Sequence, residues 1–352
     1  MSRFLTPRLS ALAPYTPGEQ PQEQPYVKLN TNENPYPPAP GVLAAVNREE
    51  VARLNRYSDP TSRALEAAIA EQNGLQAAQV ICGNGSDEIL AFCFQAFCDQ
   101  ETPPCFADVT YGFYPVYASL YGLTPRIVPL DEALRVNPSD YLGLRGVVII
   151  ANPNAPTGQY LPPEAVAALA DQNPNRLLIV DEAYIDFGGE SAVSLLPGRD
   201  NLLIVQTFSK SRNLAGARIG CALGGKPLID DLRAIKYAFN PYNLGRLSQR
   251  IGVAAVAEAR YYQECAAAII ATREYTAKAL RALGFTVLDS MANFLFARPP
   301  KLGGGDYYRA LKARGVLVRH FDAPRTRDFV RITIGTRPEM ERLLAETREI
   351  LK

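Results

Sequence analysis

What most limits the folds open to this chain is a set of short, unbroken apolar runs at residues 146–151, 177–181 and 202–207. Each is shorter than an ordinary helix and lacks the polar alternation of a strand with one wet face. Such runs read as strands buried on both sides. Segments with helical spacing lie before and between them, at 62–73, 86–98 and 163–172. Parallel neighbours need a helical crossover, so this alternation predicts an α/β fold with a mostly parallel sheet between helices. An Ala-rich helical stretch follows, over 247–283. Short strand-like pieces at 294–296, 316–318 and 330–334 and a closing helix from Pro338 then suggest a smaller α+β domain. The expected division is a large domain over 36–245, with residues 1–35 as an irregular, Pro-rich arm joined to a small domain over 246–352.

Composition removes several function classes. With 37 basic and 36 acidic residues the net charge is +1, so no field favours nucleic acid or an anionic membrane. No apolar stretch reaches the roughly 20 residues needed to span a bilayer. Residues 1–24 lack the apolar centre of a signal peptide, and the expected location is cytoplasmic. The six cysteines form no CxxC pair and read as free thiols. His320 is the one histidine, which rules out multi-histidine metal sites and leaves proton transfer to lysine, tyrosine or carboxylate. His320 itself reads as a loop residue.

Four strand ends carry chemistry. Lys210 follows the run 202–207. An amine brought to the mouth of a buried strand loses its proton more readily and becomes a nucleophile suited to Schiff-base chemistry. Ser209 and Arg218 beside it suit a phosphate, and lysine with a phosphate clamp suggests pyridoxal phosphate. Gly83-Asn84-Gly85-Ser86-Asp87-Glu88 joins a strand to an amphipathic helix. Its free N–H groups and helix dipole form an anion site, though an ordinary turn would look the same. Asn152-Pro153-Asn154-Ala155-Pro156-Thr157-Gly158 ends the run 146–151, where open α/β sheets bind ligands. Asp181 ends the run 177–181. A buried aspartate needs a cation, and either a pyridinium nitrogen or an ion pair would serve.

In order and spacing, GNGSDE, TYGFYP, NPNAPTG, DEAYIDF, TFSK, AGARIG and VRITIG resemble the motifs of the fold-type I pyridoxal-phosphate-dependent aminotransferases, over nearly the whole chain. LNTNEN, DEAYIDF and the length resemble the histidinol-phosphate aminotransferase branch.

The resemblance implies that Lys210 carries the cofactor and shuttles the donor's α-proton. Asp181 would pair with the ring nitrogen, and Tyr184 would donate to the phenolate oxygen. Tyr111 would stack on the ring, with Tyr114, Tyr117 and Tyr121 as core. The phosphate would lie on the turn Gly85-Ser86-Asp87, closed by Ser209 and Arg218 with help from Thr207. Arg331 and Arg319 would hold the substrate's acid group, and Asn32 and Tyr15 would also contact substrate. Tyr57 would reach the phosphate of a neighbouring subunit, with Tyr15 also acting across the interface, which implies a homodimer.

Two departures stand out. The asparagine expected before Pro-Thr-Gly is Ala155 here, with Asn154 as its substitute. Ser211-Arg212-Asn213 after the lysine is unusually polar. The expected reaction moves the amino group of histidinol phosphate to 2-oxoglutarate. An aminotransferase for aromatic or other amino acids, or a lyase resembling threonine-phosphate decarboxylases, fits the same motifs.

Overall fold

A computed structural model describes residues 3–10 and 12–352. The arm runs to β1 (Val27–Lys28). Seven strands then build the main sheet: β2 (Val80–Asn84), β3 (Pro104–Ala107), β4 (Arg126–Val128), β5 (Val147–Ala151), β6 (Leu178–Asp181), β7 (Leu202–Thr207) and β8 (Ile219–Gly224). Their order is β2-β8-β7-β6-β5-β3-β4. Only β8 runs against its neighbours, so the sheet is mostly parallel, as the apolar runs predict. β5, β6 and most of β7 are buried residue by residue, which is why they carry no polar alternation.

Two separate apolar clusters cover the two faces of this sheet. Cys82, Val148, Val180 and Ile204 face one; Ile81, Ile149, Ile179 and Val205 face the other. The register sets Ala151 beside Asp181 and Asp181 beside Val205, so three strand ends open along one edge. That edge holds the site.

The expected single helical stretch over 247–283 is two helices, Arg246–Ala257 and Ala259–Ala282. They part at Glu258, whose carboxylate accepts the N–H of Gly41. The first helix belongs to the core of the large domain. Gly252 lies so close to Leu65 and Ile219 that an added Cβ would meet both, and Ala255 is fully buried there. The large domain's packing therefore extends past residue 245. Helical spacing reports an apolar face without saying which core receives it.

The small domain has an antiparallel sheet. Its strands β9 (Thr286–Val287), β10 (Phe294–Arg298), β12 (Arg319–His320) and β13 (Val330–Thr333) are ordered β12-β13-β10-β9. β1 pairs in parallel with β11 (Val316–Leu317), tying the end of the arm to this domain. His320 ends β12 and bonds the Arg327 carbonyl at 2.8 Å, so it is a strand residue, not part of a loop. Among the described residues no helix is long and apolar enough to cross a membrane.

Candidate active site

A cavity of about 250 Å3 lies between the strand ends, the arm and the small domain. Ser86, Asp87, Tyr111, Asp181, Tyr184, Thr207, Ser209, Lys210, Arg218, Arg319, Arg331, Tyr15 and Asn32 all line it. Sites spread over more than 300 residues of sequence thus converge on one space.

Lys210 stands three residues past β7, its amine 5.8 Å from the ring centre of Tyr184. Burial, with Arg331 next in effect, brings that amine down to about 8. A lysine in this state is partly neutral near physiological pH and can attack a carbonyl or take a proton. Asp181 closes β6 and is 4 % exposed. Burial raises it to about 6, against the hydroxyl of Tyr114, which donates to Oδ2 at 2.9 Å, and the N–H of Ala183, at 3.3 Å from Oδ1. Among the described residues no cation pairs with this carboxylate. It fits a protonated ring nitrogen, which would supply the missing charge.

An anion cradle faces it. Gly85 sits at φ 81° ahead of the helix Ser86–Phe97, and the first N–H groups of that helix have no partner within it. Gly220 on β8 lets the turn approach: a Cβ there would lie 2.2 Å from the nitrogen of Ser86. Arg218 reaches over Gly85 and pairs with Asp87 at 2.8 Å. Thr207 donates to the Ser209 hydroxyl at 3.0 Å, and both hydroxyls line the cavity. N–H groups at a helix start, two hydroxyls and a guanidinium form a donor set suited to phosphate.

Tyr111 is fixed at its hydroxyl by Asp87, at 2.6 Å. Tyr184 accepts a hydrogen bond from Asn32 Nδ2 at 2.9 Å and stands edge-on to Phe294. The Asn32 side chain is committed on its other side too, where Thr333 donates to Oδ1 at 3.0 Å. Asn32 therefore supports Tyr184 from the wall of the cavity where the sequence suggested a substrate contact. Arg331 donates to the Asn30 carbonyl at 3.1 Å and lies between the rings of Phe294 and Phe321, while its buried Nε has no partner. A guanidinium left with a free donor in a cavity can bind an acid group. Arg319 is already engaged, donating to the carbonyls of Thr16 and Pro17. It anchors the arm. Tyr15 stacks on Phe113 of its own chain at 4.2 Å, so it reaches the cavity within one chain and needs no partner to do so.

One expected residue is turned away from the cavity, and Tyr57, expected to serve a neighbouring subunit, lies outside the cavity of its own chain. Asn154 is buried between its own loop and the segment Val109-Thr110. Its amide donates to the Val109 carbonyl and to Thr157, and its oxygen accepts from Thr110, so no polar group remains for the cavity. Ala155 lines the cavity in its place with a methyl group. Tyr57 is 79 % exposed and stacks on Tyr242, outside the cavity of its own chain. Two residues assigned to the core have polar roles as well: Tyr117, which donates to the Asp87 carbonyl, and Tyr114, the donor to Asp181. A usable signal was the rule that a buried phenol finds a partner, combined with a carboxylate that lacks one.

Residues 24–346 match the family described as aminotransferase class I and II. The chain is 51 % identical to histidinol-phosphate aminotransferase 1 of Bradyrhizobium diazoefficiens, covering all of both chains. It is 47 % identical to histidinol-phosphate aminotransferase 1 of Pseudomonas aeruginosa, again over both full lengths. A crystal structure of histidinol-phosphate aminotransferase from Sinorhizobium meliloti, in complex with pyridoxal-5'-phosphate, superposes with a TM-score of 0.88 at 25 % identity, covering 100 % of this chain and 98 % of that one. Strand ends that deliver a lysine, an aspartate and an anion cradle to one cavity are thus matched by full-length likeness, and the chain belongs to the class I and II aminotransferases.

Proposed function

We propose that this chain is a histidinol-phosphate aminotransferase that uses pyridoxal phosphate and passes the amino group to a 2-oxo acid such as 2-oxoglutarate, a step of histidine biosynthesis. The observation that carries the chemistry is the pairing in one cavity of a buried carboxylate without a cation and a lysine amine brought to about 8. The donor follows from the relatives that the chain resembles over its full length.

Pyridoxal phosphate, when bound, supplies a carbonyl for the donor amine and a ring that accepts the electrons left at the donor's Cα. The chain's residues do the rest. Asp181 would pair with the ring nitrogen and keep it protonated. The N–H groups of Ser86 and Asp87, with Thr207, Ser209 and Arg218, would hold the phosphate. Tyr111 would lie against the ring, and Tyr184 would donate to the phenolate oxygen. Lys210 Nζ would carry the proton of the donor's Cα, which a near-neutral amine does well. The Arg331 guanidinium would take the donor's phosphate in one half-reaction and the acceptor's carboxylate in the other, both being anions at the same end of the substrate. Arg319 and Tyr15 hold the arm over the cavity and limit the entry of water.

The same reading assigns a cytoplasmic homodimer, in which the exposed Tyr57–Tyr242 stack is covered by a second copy and Tyr57 approaches that copy's phosphate site.

The test is a spectral titration of the purified, cofactor-loaded chain with histidinol phosphate and no acceptor. Conversion of the visible band to that of the pyridoxamine form is the expected result. A band that ignores histidinol phosphate but responds to an aromatic amino acid would overturn the donor, and release of carbon dioxide would overturn transamination.

A further inference from the structure

Among the described residues, Asp181 is the one acid of the cavity that has no cation beside it. Two donors reach it. The N–H of Ala183 is 3.3 Å from Oδ1, a long bond, and the hydroxyl of Tyr114 is 2.9 Å from Oδ2. Tyr114 is fully buried at the start of the helix Tyr114–Tyr121. Its ring is fixed by Phe94, Phe106 and Tyr111, with centroids 6.3, 5.6 and 5.6 Å away. Burial raises its phenol well above the usual range, so the hydroxyl keeps its proton and can only donate to the carboxylate.

We infer that Tyr114 is a positioning residue for the reaction: its hydroxyl holds the Asp181 carboxylate ionised and in one orientation, leaving the other oxygen for the ring nitrogen of the cofactor. The inference rests on the proposed function. A hydrogen bond to the charged form lowers an acid's pKa, and here it acts against burial. The other titratable groups that sense Asp181 are Asp87 and Cys93 on the helix Ser86–Phe97, Tyr117 one turn past Tyr114, and Tyr184 beyond the end of β6. Asp87 is paired with Arg218 and works against ionisation of Asp181. Burial keeps the cysteine and both tyrosines neutral. Among the described residues, Tyr114 is thus the one side chain that favours the carboxylate.

The experiment is equilibrium uptake of pyridoxal phosphate by the full-length chain, followed by absorbance from the acid to the neutral range. It compares the native sequence with Tyr114→Phe, Asp181→Asn and the double variant. Loss of the hydroxyl lets Asp181 hold its proton to higher pH. The acid limb of uptake should then rise by about one pH unit, a tenfold change in proton affinity. In the Asp181→Asn background Tyr114→Phe should change nothing further. An unmoved limb overturns the inference, as does an equal displacement without the carboxylate. If Tyr114→Phe does not fold, a ring-fluorinated tyrosine at position 114 keeps the shape and donates more strongly. It must lower the limb, and no movement overturns the inference. Native protein that takes up no cofactor overturns the proposed function, whereas normal native uptake with an unmoved limb overturns this inference alone.

Discussion

Asn32 donates to the hydroxyl of Tyr184 across 152 positions of sequence, at 2.9 Å, and is itself gripped by Thr333 of the small-domain sheet. The bond ties the residue beyond the end of β6 to the strand that carries Arg331. With a methyl at Ala155 and the Asn154 amide consumed by Val109, Thr110 and Thr157, no asparagine of the NPNAPTG loop reaches this part of the cavity. Tyr184 depends on Asn32 for its orientation.

Asn32→Ala should therefore slow turnover without unfolding the chain. Of the two side-chain bonds lost, the one to Tyr184 bears on the site, and its net worth of about 1 kcal/mol corresponds to roughly a fivefold fall in kcat/KM. Steady-state kinetics beside a thermal melt will check this. A larger melt shift than kinetic loss would mean that Asn32 chiefly holds the domains together.

Lys210 has an amine at about 8, against an ordinary value of 10.5. In the cofactor-free chain its reaction with an aldehyde reagent should rise with pH and level off above about 8, two units earlier than a surface lysine. Lys210→Ala should lose this reactive site and lower turnover by about 10²–10⁴-fold, as expected for removing a general base. Mass-resolved labelling across pH reads the first outcome and kinetics the second.

Arg331 and Arg319 should separate cleanly. Arg331 lines the cavity and its buried Nε has no partner, so Arg331→Ala should raise KM for donor and acceptor alike, by about 10–100-fold for a charge-assisted bond. Arg319→Ala loses its bonds to the Thr16 and Pro17 carbonyls and its contact over the Phe321 ring, all of them on the arm side or within the small domain. Its effect should be a faster proteolytic cut in the arm with a KM change of about threefold or less. Limited proteolysis alongside kinetics distinguishes the two.

Asp181 sets a pH dependence of stability in the cofactor-free chain. Its folded-state value, about 6, lies above the ordinary 3.8. The protonated acid is the form favoured on folding, so its contribution is fully present below about 3.8 and is lost as pH rises through about 6. Asp181→Asn removes this loss. The cofactor-free variant should gain up to about 3 kcal/mol over the native chain at neutral pH and little in acid. Urea melts at two pH values will show whether the difference closes on acidification.

The sequence by itself determined the sheet and most of the residues on its edge. Unbroken apolar runs can be stable only as strands covered on both faces, and Lys210, Asp181 and the Gly85-Ser86 turn follow such runs directly. That order is local, so it was legible. β3, β4 and the reversed β8 were not called, because the pieces are short and direction is a property of neighbours. What lay beyond the sequence was contact between distant segments. Helical spacing could not say that Arg246–Ala257 joins the large domain, that Arg319 is committed to the arm, or that the Asn154 amide is consumed by the Val109 carbonyl. Nor could it show that Tyr114, read as core, aims its hydroxyl at Asp181. A polar side chain's partner is chosen by three-dimensional packing. Only the tertiary structure decides which groups are spent on the fold and which remain for chemistry.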